Sequence, residues 1–441
     1  MTQDGTAHLF ASAEAEVVDI CRELIRFDTQ NWGDGKANPE RPAADYIAGL
    51  FAEVGLESVI HESAPGRANL VARIPGTDPT AGALVVHGHT DVVPADASEW
   101  SVDPFAGELR DGLVWGRGAV DMKDMDAMII ACVRTMLREG LRPRRDIIVA
   151  MFADEEAGSV YGSKWMVDNH PELFAGATEA VSEVGGYSAE IRGQRVYLLQ
   201  TAEKGMAWLR LIAKGTAGHG SQINRDNPVT KLAEAVAKIG THEWPVRMPK
   251  ATQVLLEGVS EMTGIPFTAE TYGELLLELG SASKFVAATL TNTSNPSLLS
   301  AGYKQNVIPG AAEAIIDCRT LPGEHEELLR TIEELAGPDV DIVKEIELLA
   351  LEAPMEGALY DVMESSLLAE DPEARVLPYT LSGGTDNKSL ANLGINGYGF
   401  APLKLTSDLD FPAMFHGVDE RVPVSALEFG CRVLGRFMLE A

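Results

Sequence analysis

The 441-residue chain reads as an α/β protein with a mostly parallel sheet, interrupted by a smaller α+β unit. Three observations predict this. Short apolar runs suited to buried parallel strands lie at Ala83–Val86, Ile147–Phe152 and Glu179–Ser182. A long amphipathic helix, from about Met122 to Arg138, separates the first two, with Met125, Ile129, Cys132, Val133 and Met136 on one stripe. After Gln200 the pattern turns to strand, helix, strands, helix, strand, and near residue 349 the α/β pattern returns.

In chain order, the first element is a helix. Val17, Ile20, Cys21, Leu24 and Ile25 recur at helical spacing, and the pattern stops near Phe27. The interrupting unit carries helices at Val229–Ile239 and Glu326–Leu335 in a βαββαβ order, while residues 244–300 have no legible boundaries. A turn-rich Leu381–Thr385, a strand near Tyr398–Phe400 and a helix over Ser425–Leu439 complete the chain. The expected organisation is a discontinuous first domain (1–200 and 349–441) with an insertion over 201–348.

At 45% hydrophobic residues the chain can bury a large core. No window reaches the roughly 20 apolar residues that cross a bilayer. The first residues have neither a basic start nor an apolar run, so no secretory signal is expected and a cytoplasmic location follows. Cys21, Cys132, Cys318 and Cys431 are scattered in apolar stretches, which predicts small buried side chains rather than disulfides or thiolate metal ligands. With 36 basic and 66 acidic residues, the net charge of −30 argues against nucleic acid and anionic membrane as partners.

The chemistry lies where polar residues meet strand ends. His87-Gly88-His89-Thr90-Asp91 follows one apolar run, Asp154-Glu155-Glu156 follows another, and Glu183 follows a third. Open parallel sheets bind ligands beyond the carboxyl ends of their strands. Three strand ends bringing imidazole and carboxylates to one edge would form a metal-ligand cluster. Singly, each has a plain structural reading: a satisfied histidine, a helix cap, a turn at Gly116-Arg117-Gly118. Together and in this order they favour the cluster. No G-x-S-x-G elbow or H-E-x-x-H helix is present, which disfavours serine and single-zinc hydrolases.

Several motifs carry a resemblance: Gly88-His89-Thr90-Asp91-Val92-Val93-Pro94, Trp115-Gly116-Arg117-Gly118-Ala119-Val120-Asp121-Met122-Lys123 and Asp154-Glu155-Glu156-Ala157-Gly158-Ser159. They continue through Ala217–Ser221, Asn306–Pro309, Asp317–Arg319, Ser382–Asp386 and His416-Gly417. In this order they resemble peptidase family M20, the co-catalytic zinc hydrolases that include aminoacylases, desuccinylases, deacetylases and glutamate carboxypeptidases. The resemblance implies a zinc-peptidase-like catalytic domain and an inserted lid and dimerisation domain. It also implies two Zn2+ ions per chain, with Co2+ or Mn2+ as substitutes.

By that resemblance Asp121 bridges the ions. Glu156 and His416 complete one site, and His89 and Glu183 the other. Asp91 orients His89 as a supporting carboxylate. Glu155 is the general base, and His219 reaches the oxyanion from the other subunit of a homodimer formed through the inserted domain. Asn306, Arg319 and the loop Ser382, Gly383, Gly384 and Thr385 hold the substrate's carboxylate end, for which Arg319 offers a planar fork. Two cations sharing a carboxylate sit about 3.5–4 Å apart and bring a water's pKa toward roughly 7.

The implied substrate is a small N-acyl-L-amino acid or a short peptide with a free C-terminus. The alternatives are an aminopeptidase or dipeptidase that reads a free α-amine, and an inactive metal-binding scaffold. Glu183, rather than aspartate, leans toward deacylases and carboxypeptidases. Asp124 stands where the family commonly has glycine and is read as a helix-start carboxylate. His87 is read as structural, and His8, His61, His170, His242 and His325 have no motif context.

Overall fold

The computed structural model describes residues 9–33 and 35–441, so His8 lies outside the described residues. Its main sheet has ten strands. Four central ones are parallel, in the spatial order Ile147–Phe152, Ala83–His89, Ala177–Ser182 and Asn396–Gly399. Antiparallel strands flank them, Ser58–Ala64 and Arg67–Ile74 on one side and Gln194–Glu203 on the other. Arg375–Leu381 then runs parallel to Gln194–Glu203.

Side-chain alternation sets the layers. Leu84, Val86, Ile147, Val149 and Met151 face a core shared with helices Ala11–Arg26, Lys123–Arg138 and Val424–Glu440. Val85, Ile148, Ala150 and Phe152 face the opposite side, covered by Met166, Phe174 and Leu390. The result is helix, sheet, helix, as the alternating pattern requires. Helix Lys123–Arg138 is buried on all sides over residues 123–136, because the helix Ala11–Arg26 packs on its outer face. All four cysteines are buried and free, as their apolar context predicts.

The chain enters a second, four-stranded antiparallel sheet at Gly205 and leaves it at Leu348. Its order is Thr293–Ala301, Ala311–Thr320, Gly205–Lys214, Val340–Leu348. Leu209, Leu211 and Ile316 pack under helices Pro228–Gly240 and His325–Ala336. The other face keeps Trp208 and Val343 exposed.

The illegible stretch resolves into helices Lys250–Thr263, Tyr272–Leu277 and Ser283–Ala287. Their Leu255, Leu256, Val259 and Leu275 join the main core, and Gly258 lies against Leu377, where a methyl group would come within 2.5 Å of that side chain. Among the described residues no helix is long and apolar enough to cross a membrane.

Candidate metal centre and active site

Strand register brings the ligands to one edge. His89 ends its strand opposite Phe152, and Val86 lies opposite Val181. His89, the turn Glu155–Ala157 and Glu183 therefore leave neighbouring parallel strands at the same end. Asp121 comes from the loop before helix Lys123–Arg138. His416 comes from the segment after the short helical turn Phe411–Met414. Asp154 and His416 have positive φ, 64° and 57°, so the backbone is strained at two of these deliveries.

The two carboxylate oxygens of Asp121 face different imidazoles. His89 Nε2 lies 3.3 Å from Oδ1, and His416 Nε2 lies 3.3 Å from Oδ2. His89 Nε2 is also 3.6 Å from Glu183 and 4.0 Å from Glu155, and His416 Nε2 is 3.1 Å from Glu156. His89 Nε2 and Glu156 Oε1 are buried with no hydrogen-bond partner. Two triads, His89–Asp121–Glu156 and His89–Glu155–Glu183, offer ligand atoms lying within 4.8 Å of one another. Unmatched imidazole and carboxylate lone pairs crowded in this way fit a zinc-type donor set.

The electrostatics report the same crowding. Burial pushes Glu183 up to about 8 and Glu155 well above the usual carboxylate range, with neighbouring carboxylates adding to both shifts. Burial opposes charge on His89, yet Glu183 and Asp121 hold its imidazole well above normal. Hydrogen bonds to Asp121 and Glu156 raise His416 to about 10. A cluster that retains protons against bulk water is one that cations would discharge.

Asp91 does two things. Its backbone carbonyl lies 3.0 Å from His89 Nδ1 and its carboxylate 3.5 Å, so Nε2 is left to face the cluster. The same carboxylate accepts the backbone N–H groups of Glu155 (3.0 Å) and Glu156 (3.2 Å), fixing their turn to His89. Asn31 donates to both Asp91 and Asp154, each at 2.9 Å, and Arg67 donates to Asp154 and Glu40.

Arg67, Glu40 and Asp154 are all buried, so removing the guanidinium leaves two buried acids without their shared cation. Arg67→Met is expected to cost about 3–5 kcal/mol of stability, measured by denaturant unfolding. A loss under 1 kcal/mol would mean the acids are satisfied without it.

Other expected residues lie apart from this cluster. His219 sits on a two-residue ladder with Val307, and Gly220 N–H donates to the Asn306 carbonyl at 2.9 Å, so His219 and Asn306 are neighbours. His219 is exposed and bonds Ser221 at 2.8 Å. Arg319 forms a fork with Asp317 at 2.8 and 3.1 Å. In the loop 382–385, Thr385 donates to Glu203 through N–H (3.2 Å) and hydroxyl (2.7 Å). Among the described residues no hydrogen bond or ion pair joins His219, Asn306 or Arg319 to the metal-ligand cluster.

His87 bonds Asn387 at 2.9 Å, and burial pushes it down to about 4, a neutral structural imidazole. Asp124 lies in the first turn of its helix, as expected, but it is buried, and burial holds its carboxyl well above the usual range.

Several polar residues near the site had no role assigned from the sequence. Lys388 Nζ donates to the carbonyls of Lys204 (2.8 Å) and Leu349 (3.1 Å) and lies 3.3 Å from Glu203, pinning both crossings into the second sheet. Asp386 accepts hydroxyls from Ser159 (2.6 Å) and Ser163 (2.5 Å) beside the Glu155 turn. Glu203 ends an apolar strand just as Glu183 does, so the strand-end rule could have found it.

Fold and donor set together define a metal-dependent hydrolase. The chain belongs to Peptidase family M20/M25/M40, which matches residues 85–440. It is 26% identical to the N-fatty-acyl-amino acid synthase/hydrolase of Xenopus tropicalis, over 94% of this chain and 83% of that one. It is 28% identical to aminoacylase-1 of Sus scrofa, with 87% of each chain covered. Its fold is like that of an M20 family metallo-carboxypeptidase from Sulfolobus solfataricus, with a TM-score of 0.72 at 17% identity, over 96% of this chain and 99% of that one. That likeness is one of fold alone.

Proposed function

We propose that this chain hydrolyses the amide bond of N-acyl-L-amino acids, or of dipeptides with a free C-terminus, at a dinuclear zinc-type centre. The observation that carries the reading is Asp121, whose two oxygens face the two imidazoles separately. His89, Glu183 and Asp121 would hold one ion, and His416, Glu156 and Asp121 the other. Bound there, the ions would supply Lewis acidity to the scissile carbonyl and lower the pKa of an attacking water.

The chain's own residues do the rest. Glu155, partly buried beside His89 and Glu183, takes the proton of the attacking water and passes it to the leaving amine. Asp91 holds the Glu155 backbone so that its carboxylate stays beside His89. Arg319, Asn306 and the 382–385 loop bind the substrate carboxylate. The activities in the names of the two sequence relatives support an acyl-amino acid over an amine-anchored peptide. Metal content per chain, with a panel of N-acetyl, N-succinyl and long-chain N-acyl amino acids and of dipeptides blocked at either end, tests it. Turnover that needs a free amine and tolerates a blocked carboxylate would replace this reading with an aminopeptidase.

His219 is proposed to serve the site of a second copy. The edge strand Thr293–Ala301 exposes Leu298 and Leu299 at 66% and 63%, and Ile223 and Tyr303 stand out at 92% and 83%. Exposed apolar side chains along an unpaired edge suit pairing with another chain. His219→Ala and Glu155→Gln, each nearly inactive, are expected to recover about a quarter of wild-type activity when mixed and allowed to exchange subunits, since one site in each hybrid dimer is whole. No recovery from chains that do exchange would place His219 in its own subunit's site.

A further inference from the structure

We propose that Glu420, acting with Arg117, is a positioning residue for the metal centre: it clamps the loop that carries Asp121 to the segment that carries His416. This rests on the dinuclear reading above.

The clamp starts in a small ladder. Strand Arg421–Pro423 pairs with Leu113–Trp115, Arg421 opposite Trp115, which sets Glu420 beside Gly116, whose N–H donates to the Glu420 carbonyl at 3.0 Å. The Glu420 side chain is wholly buried. Its Oε1 accepts the backbone N–H groups of Val120 (2.6 Å) and Asp121 (3.1 Å), and its Oε2 accepts Gly118 N–H (3.0 Å) and the Arg117 guanidinium (2.8 Å). Four donors fill the carboxylate. The Asp121 backbone is thus tied directly to Glu420.

Arg117 carries the tie onward. Its other terminal nitrogen donates to the carbonyl of Gly417 at 2.8 Å, the residue after His416, and its guanidinium lies over Trp100 at 5.1 Å. The loop closes this tightly because Gly118, at φ +88°, has no Cβ; one would come within 2.9 Å of Val92 and 3.0 Å of Lys123. His416 itself is 59% exposed at the side chain and has a positive φ of 57°, so its backbone gains from an anchor next to it. Neither Glu420 nor Arg117 hydrogen-bonds a ligand side chain. Both act through backbone, fixing how the two halves of the Asp121–His416 pair meet, with Arg117 and Gly417 300 residues apart in the chain.

The test measures zinc affinity by competition with a chromophoric chelator, and the visible spectrum of the Co2+-loaded protein. Wild type is expected to bind two equivalents. Glu420→Gln keeps the shape but turns an amide N–H2 toward backbone donors. Its ion on the His416 side is expected to bind about 10–100-fold more weakly, with an altered Co2+ spectrum. Arg117→Met leaves the three backbone bonds to Glu420 in place and is expected to weaken the same ion less.

Two equivalents with wild-type affinity and spectrum in both variants would overturn the clamp while leaving the dinuclear reading intact. No metal in wild type would remove that reading itself. Should Glu420→Gln lose its fold by circular dichroism, Arg117→Met decides, and wild-type metal binding there overturns the proposal.

Discussion

Glu155→Gln is expected to keep both ions and lose about 10²–10⁴-fold in turnover, the usual range for a positioned general base. The substitution keeps volume and shape, removes basicity and exchanges one acceptor oxygen for an amide donor. Burial, with Glu183, Asp386 and Glu156 around it, makes Glu155 hold a proton far more readily than a free carboxylate. Adjacent Glu156 faces His416 instead, because the turn at Asp154 splays the two side chains. Metal content and kcat, measured together, separate the roles. Metal lost with activity would make Glu155 a ligand, a position its place in one of the two triads allows. Turnover within tenfold of wild type would remove it from proton transfer.

Stripping the metal with a chelator should abolish activity and lower Tm, and the gap in Tm between metal-loaded and stripped protein should widen by several degrees from pH 6 to pH 9. In the stripped fold, burial raises Glu183 from 4.5 to about 8, and hydrogen bonds to Asp121 and Glu156 raise His416 from 6.5 to about 10. The folded state therefore binds more protons than the unfolded chain across both intervals. The stability this confers is full below the unfolded values and is lost as pH rises through the folded ones. Cations replace those protons, so the loaded protein escapes the loss.

Two other groups do not alter the comparison. Burial lowers Lys123 to about 8, which works in the opposite direction at high pH but is common to both forms and cancels in the difference. Asp121, held below the usual range by His416 and His89 against its burial, loses its contribution only at acid pH. A gap that stays constant or narrows with pH would mean these groups are not in contact with the metal.

Sequence reading succeeded where one local rule applied. Apolar runs gave the parallel strands, and the polar residues just past them made His89, Glu155, Glu156 and Glu183 candidates, because burial of a strand and exposure of its end are both written within a few residues. Asp121, His416, His219, Asn306 and Arg319 came only from resemblance. No local periodicity marks them. Residues 244–300 were illegible because their helices bury one face against strands far away in sequence, Leu377 under Gly258 among them.

By itself the sequence determined the α/β class, the parallel strands and the imidazole and carboxylate side chains that fall just past their ends, all properties of short segments. Only the tertiary structure decided which carboxylate faces which imidazole. It also buried Asp124 at the start of its helix, set Arg67 between two buried acids, and placed Glu420 against the Asp121 loop. The physical reason is that partner choice and burial of charge depend on contacts such as Arg117 to Gly417, between residues 300 apart, and chain entropy leaves no local trace of them.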